Sequence, residues 1–152
     1  RKQRPIMMNM QRATHVVLTA LPRAIHRRGY GIHSPWAYEL VRDVLFERHQ
    51  YYAYQEQHMN AQQQQLYRIC NHYRNQPVVI IDQKAQAAAV SYEEAVQHAN
   101  AQTVLIVEHI HNDNAALWQH IVNDPRAIVT FDMRRRGLVT FDNKRIKQNY
   151  LL

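Results

Sequence analysis

Glycine is nearly absent from this chain of 152 residues. There are three: Gly29 and Gly31 near the start, and Gly137 near the end. Between Gly31 and Gly137 no residue takes a positive φ without steric cost, and none lets a phosphate or nucleoside lie against bare backbone. That long stretch must be built from helices, strands and connections that side-chain-bearing residues accept.

The apolar pattern says which elements these are. Ser34-Pro35 reads as an N-cap followed by proline at the first helical position. Trp36, Leu40, Val41, Val44 and Leu45 then form one apolar stripe of a helix ending near Glu47. Tyr51-Tyr-Ala-Tyr54 is an aromatic cluster in a connection, able to pack a helix end or to stack on bases. A glutamine-rich helix is expected from about Gln55 to Tyr73, with Met59, Leu66, Ile69, Cys70 and Tyr73 at helical spacing. Val78–Ile81 and Thr103–Val107 are short β-branched runs that suit strands buried on both faces of a parallel sheet. A helix from about Ser91 to Asn100 lies between them and completes a β-α-β unit, with a further helix over about 113–122. Residues 127–132 and 138–142 flank a short loop and read as an antiparallel hairpin.

The excess of positive charge is confined to one end, since from Glu39 onward twelve Lys/Arg balance twelve Asp/Glu. Arg1, Lys2, Arg4, Arg12, Arg23, Arg27 and Arg28 precede the first acid, Glu39. The net charge of +7 therefore lies in the first quarter of the chain. Residues 1–12 read as a poorly ordered basic arm and 13–27 as a helix interrupted by Pro22. The arm suits an anionic surface, RNA among the candidates, or serves as a solubilising terminus. The expected organisation is a basic arm over 1–28, a helical segment over 29–76 and an α/β domain over 77–152. The single cysteine, Cys70, excludes an internal disulfide and suits a reducing cytoplasm. No apolar run approaches the roughly 20 residues that span a bilayer, so no membrane role is expected. The chain opens on Arg1 rather than Met, as expected where an upstream piece is missing.

Gly29-Tyr-Gly-Ile-His-Ser-Pro35 with Tyr51-Tyr-Ala-Tyr54 resembles the opening of class I S-adenosylmethionine-dependent methyltransferase-like proteins of Bacteroidetes. The later segments Val107-Glu-His-Ile-His111, Leu117-Trp118, Thr130-Phe-Asp-Met133, Gly137-Leu-Val-Thr-Phe-Asp142 and Lys147-Gln-Asn-Tyr150 are similar to their ending. The resemblance implies a reduced Rossmann-like sheet, preceded by helices and closed by an antiparallel hairpin. It implies S-adenosylmethionine as cofactor where the site is retained, with Asp82 at the end of a cofactor-side strand and Glu108 and His111 at the catalytic rim. The family places a glycine-rich turn after its first strand. Here Gln83-Lys-Ala-Gln-Ala-Ala-Ala89 follows Asp82, and the β-carbons of alanine oppose that turn. Asp82 thus ends either the first strand or a later one.

Other chemistry is weakly signalled. His109 and His111 would share a face if the strand continued, but a third ligand at diagnostic spacing is missing, so no metal is expected. His33-Ser34 is better explained by the helix cap than by a nucleophile pair, and Cys70 reads as a small core residue rather than a reactive thiol. Three functions stand open. One is a degenerate methyltransferase-like pseudoenzyme acting as a binding or scaffold subunit for a protein partner. The others are an active methyltransferase on an unspecified substrate and a basic RNA-associated protein.

Overall fold

A computed structural model describes residue 27 and residues 31–152. The expected arm and helix over residues 1–26, and Arg28 with Gly29 of the opening turn, lie outside the described residues. The chain divides into two compact units, 1–48 and 49–152.

In the first unit, Gly31 adopts φ +79°, the left-handed conformation that glycine accepts freely. Helix α1 (Pro35–Leu40) starts as the sequence indicates: the Ser34 hydroxyl accepts from Ala37 N–H, and Pro35 sits in the first turn. The helix does not run on as α to Glu47. It widens into a π-helical turn over Val41–Leu45, with Phe46 N–H donating to Val41 C=O. Leu40, Val41, Val44 and Leu45 of the expected stripe are buried together with Ala37, whereas Trp36 is only half-buried.

The second unit carries the sheet. Two helices replace the single glutamine-rich one: α2 (Tyr52–Glu56) and α3 (Ala61–His72). Asn60 divides them. Its side chain accepts from Gln62 and Gln63 N–H while Gln63 returns a bond to Asn60 N–H, a capping box that stops helix growth from the other side. The tyrosines pack locally: Tyr54 is buried, edge-on to Tyr51 and Tyr67.

Strands β1 (Val78–Ile81), β2 (Val104–Glu108), β3 (Val129–Asp132), β4 (Arg136–Thr140) and β5 (Gln148–Leu151) form one mixed sheet in the order β1-β2-β4-β3-β5. β1 and β2 are parallel, and β3 and β4 make the expected antiparallel hairpin. The hairpin's second strand inserts between β2 and β3, antiparallel to both. β5, which the apolar pattern does not announce, adds parallel to β3. Lys147, just before β5, donates to the carbonyls of Asp124 and Ala127 and so fixes the chain's return past the start of β3. This is a mixed α/β fold of Rossmann-like type, as expected. Among the described residues no helix is long and apolar enough to cross a membrane.

Helices α4 (Ala85–His98) and α5 (Ala115–Asn123) are the two crossovers, and both cover the same face. Ala88, Tyr92 and Val96 of α4 share one apolar cluster with Leu117, Trp118 and Ile121 of α5 and with Leu105, Val107 and Val139 of the sheet. Helix α4 begins six residues before the expected Ser91, because the alanines that oppose a phosphate-binding turn are strong helix formers. On the other face Arg136 reaches α3, donating to the Gln62 carbonyl and the Gln65 side chain. β1 departs from expectation. It is an edge strand, and Ile80 is 42% exposed.

Candidate functional site

The carboxyl ends of β1, β2 and β3 and the start of β4 meet at one rim, which gathers the residues singled out in the sequence. Asp82 follows β1 and is exposed. Glu108 ends β2 and is held by Arg136 at 2.7 Å, with both side chains largely buried. Arg136 also binds α3, so this ion pair fastens a helix to the sheet, and Glu108 is committed to it.

The segment after Glu108 is not strand. His109 takes φ +60° and its carbonyl accepts from Asn112 and Asn114 N–H, while Ile110 N–H donates to Arg135 C=O of the hairpin loop. The alternation that would have aligned His109 with His111 ends there. His111 instead turns to Asp132: its Nε2 lies 2.7 Å from Oδ2 of that buried carboxylate. The other carboxylate oxygen accepts from Arg134 N–H. Facing a carboxylate, Nε2 is the donor of this pair, and the ring is half-exposed. A carboxylate-oriented imidazole is suited to general base work. Asp132 was legible in the sequence only as part of Thr-Phe-Asp-Met.

Asn114 is the residue sequence reasoning missed. It is fully buried, and its amide joins three segments. Oδ1 accepts from Ala85 N–H at 2.8 Å, and Nδ2 lies 2.9 Å from both the Gln83 and the Glu108 carbonyls. Ala85 stands at φ +51°, where a β-carbon costs about 1–2 kcal/mol. The Asn114 bond holds it there. The position expected to carry a glycine turn is thus an alanine in glycine-like conformation, pinned by a side chain from the next crossover. Lys84 and Asp113 bridge the same two loops at 2.9 Å on the surface, and the ammonium holds the Asp113 carboxyl below its usual range.

A second charged cluster lies away from this rim. Glu93 of α4 and His120 of α5 approach Asp124 closely enough to share a metal ion. A cation already occupies the place: Arg126 forks between Asp124 (2.7 Å) and Glu93 (3.0 Å). Tyr92 Oη donates to Asp124. The guanidinium keeps the Asp124 carboxyl well below the usual carboxylate range, and burial with the adjacent carboxylate raises the Tyr92 hydroxyl. The arrangement ties α4 to the α5–β3 connection. Only its i, i+4 pair, His120 and Asp124, has sequence spacing that could have revealed it.

The other candidates are scattered. Arg27 stacks over Phe46 at 5.0 Å, while Arg1, Lys2, Arg4, Arg12, Arg23 and Arg28 lie outside the described residues. Burial pushes the Cys70 thiol upward, away from its thiolate. Compared with known proteins, the chain matches no family model, no curated protein and no solved structure.

Proposed function

We propose that this protein is a binding or scaffold subunit of methyltransferase ancestry that works without S-adenosylmethionine. One observation carries the reading. Open α/β sheets bind nucleotides where the strand order reverses and successive crossover helices part to opposite faces. Here the crossovers β1-α4-β2 and β2-α5-β3 advance in the same direction, and α4 and α5 share one face. The order of β1, β2 and β3 therefore has no reversal between the two crossovers at which such a crevice would form. Asn114 supports the same reading, since a nucleoside between β1 and β2 would have to break its three hydrogen bonds. Asp82 and Glu108 then act as rim and structural residues rather than as ribose or methyl-transfer groups.

The cations preceding Glu39 favour an anionic partner surface, RNA included. Methyl transfer is the second reading, and the His111–Asp132 pair is what favours it. Calorimetric titration with S-adenosylmethionine and S-adenosylhomocysteine separates the two. Absence of heat is expected. Micromolar binding, lost in Asp82→Asn, would overturn the scaffold reading and restore the enzyme.

A further inference from the structure

The two edges of the sheet differ in kind. β5 is Gln-Asn-Tyr-Leu with a lysine before it, whereas β1 is Val-Val-Ile-Ile. Edge strands are ordinarily blunted by charge, proline, a bulge or a covering element. Within β1 none of the first three occurs, and its register with β2 runs unbroken from Val78 to Ile81. A groove of about 470 Å³ follows this edge, walled on one side by Ser91, Ala95 and His98 of α4.

The backbone determines what fits there. Val104 N–H donates to Pro77 C=O, and Val78 is the register partner of Val104. In a parallel ladder this turns the amides of Val79 and Ile81 toward β2, and the N–H and C=O of Val78 and Ile80 outward. An antiparallel strand can exchange hydrogen bonds only between residues that both offer outward groups. A two-fold axis on Ile80 meets this condition, setting Ile80 against the partner's Ile80 and Val78 against the partner's Asp82.

We propose that β1 is a self-pairing edge, through which two copies of this chain join antiparallel into one continuous sheet. Ile80, the half-exposed aliphatic of the strand, is then covered by its own mate across the axis. The flanking charges favour the same arrangement. Arg74 precedes the strand and Asp82 follows it, both exposed, while Lys84 beyond them is paired with Asp113, so antiparallel copies bring Arg74 to the end where the partner's Asp82 lies and parallel copies bring Asp82 to Asp82. The seam is short, and interfaces below roughly 1,200 Å² are weak, so the dimer forms and dissociates with concentration. The inference is independent of whether the chain binds a cofactor.

Sedimentation velocity of the full chain over a wide concentration range is the test. A monomer–dimer equilibrium is expected, weakened about tenfold or more by Ile80→Lys, which places two ammonium groups against each other on the axis. Because Ile80 is already part-exposed, the variant should retain the parent's thermal melt. A second variant does not depend on affinity. In a Cys70→Ser background, Ile80→Cys should oxidise to a disulfide-linked dimer, since hydrogen-bonded antiparallel pairs hold Cα atoms about 5.5 Å apart. Leu151→Cys on the opposite edge should not. A chain that stays monomeric throughout, or equal cross-linking from both edges, would overturn the proposal. So would a monomer whose Ile80→Cys thiol is shielded from alkylation, because another part of the same chain would then cover the edge.

Discussion

Replacing Gly137 with alanine tests whether the sheet and α5 meet as closely as the structure has them. Gly137 lies in β4, hydrogen-bonded between β2 and β3, and its φ is not of the left-handed kind that favours glycine. Its smallness is what the site uses. A β-carbon built there would overlap Cη2 and Cζ3 of the Trp118 ring, which is almost wholly buried. A central strand paired on both sides cannot retreat, so the indole must move. Overpacking commonly costs about 1–3 kcal/mol. The upper bound is eviction of the ring, comparable with a large-to-small core substitution at about 3–5 kcal/mol. Gly137→Ala should therefore lower unfolding stability by about 1–5 kcal/mol, read from urea midpoints at constant m. Trp118→Leu removes the obstructing ring and carries its own cavity cost. In that background the sign should reverse, because alanine restricts the unfolded chain more than glycine does and gains about 0.4–1 kcal/mol. A Gly137→Ala protein within about 0.5 kcal/mol of the parent, or an equal loss in both backgrounds, would refute the packing argument.

Two further outcomes follow from the buried hydroxyls and the charged knot. Asp124 has a depressed folded-state pKa, so its contribution is present above the unfolded carboxylate value of about 3.9 and is lost as pH falls toward the folded value. Asp124→Asn should be less stable than the parent at neutral pH and should show a shallower loss below about pH 4, measured as urea midpoint against pH; identical slopes would remove Asp124 as the cause. Tyr73 and Tyr92 should part company on replacement by phenylalanine. Among the described residues the buried Tyr73 hydroxyl has no hydrogen-bond partner, and its pKa is pushed up to about 12, so Tyr73→Phe should change stability by no more than about 1 kcal/mol, upward if at all. Tyr92→Phe should cost about 1.5–3 kcal/mol through its lost bond to Asp124, and the reverse ranking by chemical denaturation would contradict these assignments.

Local signals carried the parts of the fold that local physics decides. Ser34-Pro35 started a helix, the β-branched runs became β1 and β2, and Val-Thr-Phe-Asp with Gly137 closed a hairpin. What could not be read was decided by distant partners. Asn60 has no distinctive neighbourhood until Gln63 bonds back to it, and β5 is too polar to register as a strand until β3 offers an edge. Val78–Ile81 reads as fully buried because composition does not say whether a neighbour lies beyond. At the rim, Glu108 and His111 were picked out as a pair, yet each has a different partner, Arg136 and Asp132, contributed by the hairpin. Asn114 gave no signal at all: an asparagine before a helix usually caps it, and here the side chain bonds across two connections instead.

The insertion of β4 between β2 and β3 has a consequence in time. Only Met133–Arg135 separate β3 from β4, whereas residues 82–103 separate β1 from β2. Closing the longer loop is disfavoured by roughly 2 kcal/mol relative to the shorter, so the hairpin should be the piece of sheet that assembles first. It then presents β4 as a preformed template, and β2 and the β-α-β unit anneal to it. The centre of the finished sheet is thus the joint between an early and a late half. Gly137, at that joint, should express its alanine cost in slower folding as well as in faster unfolding.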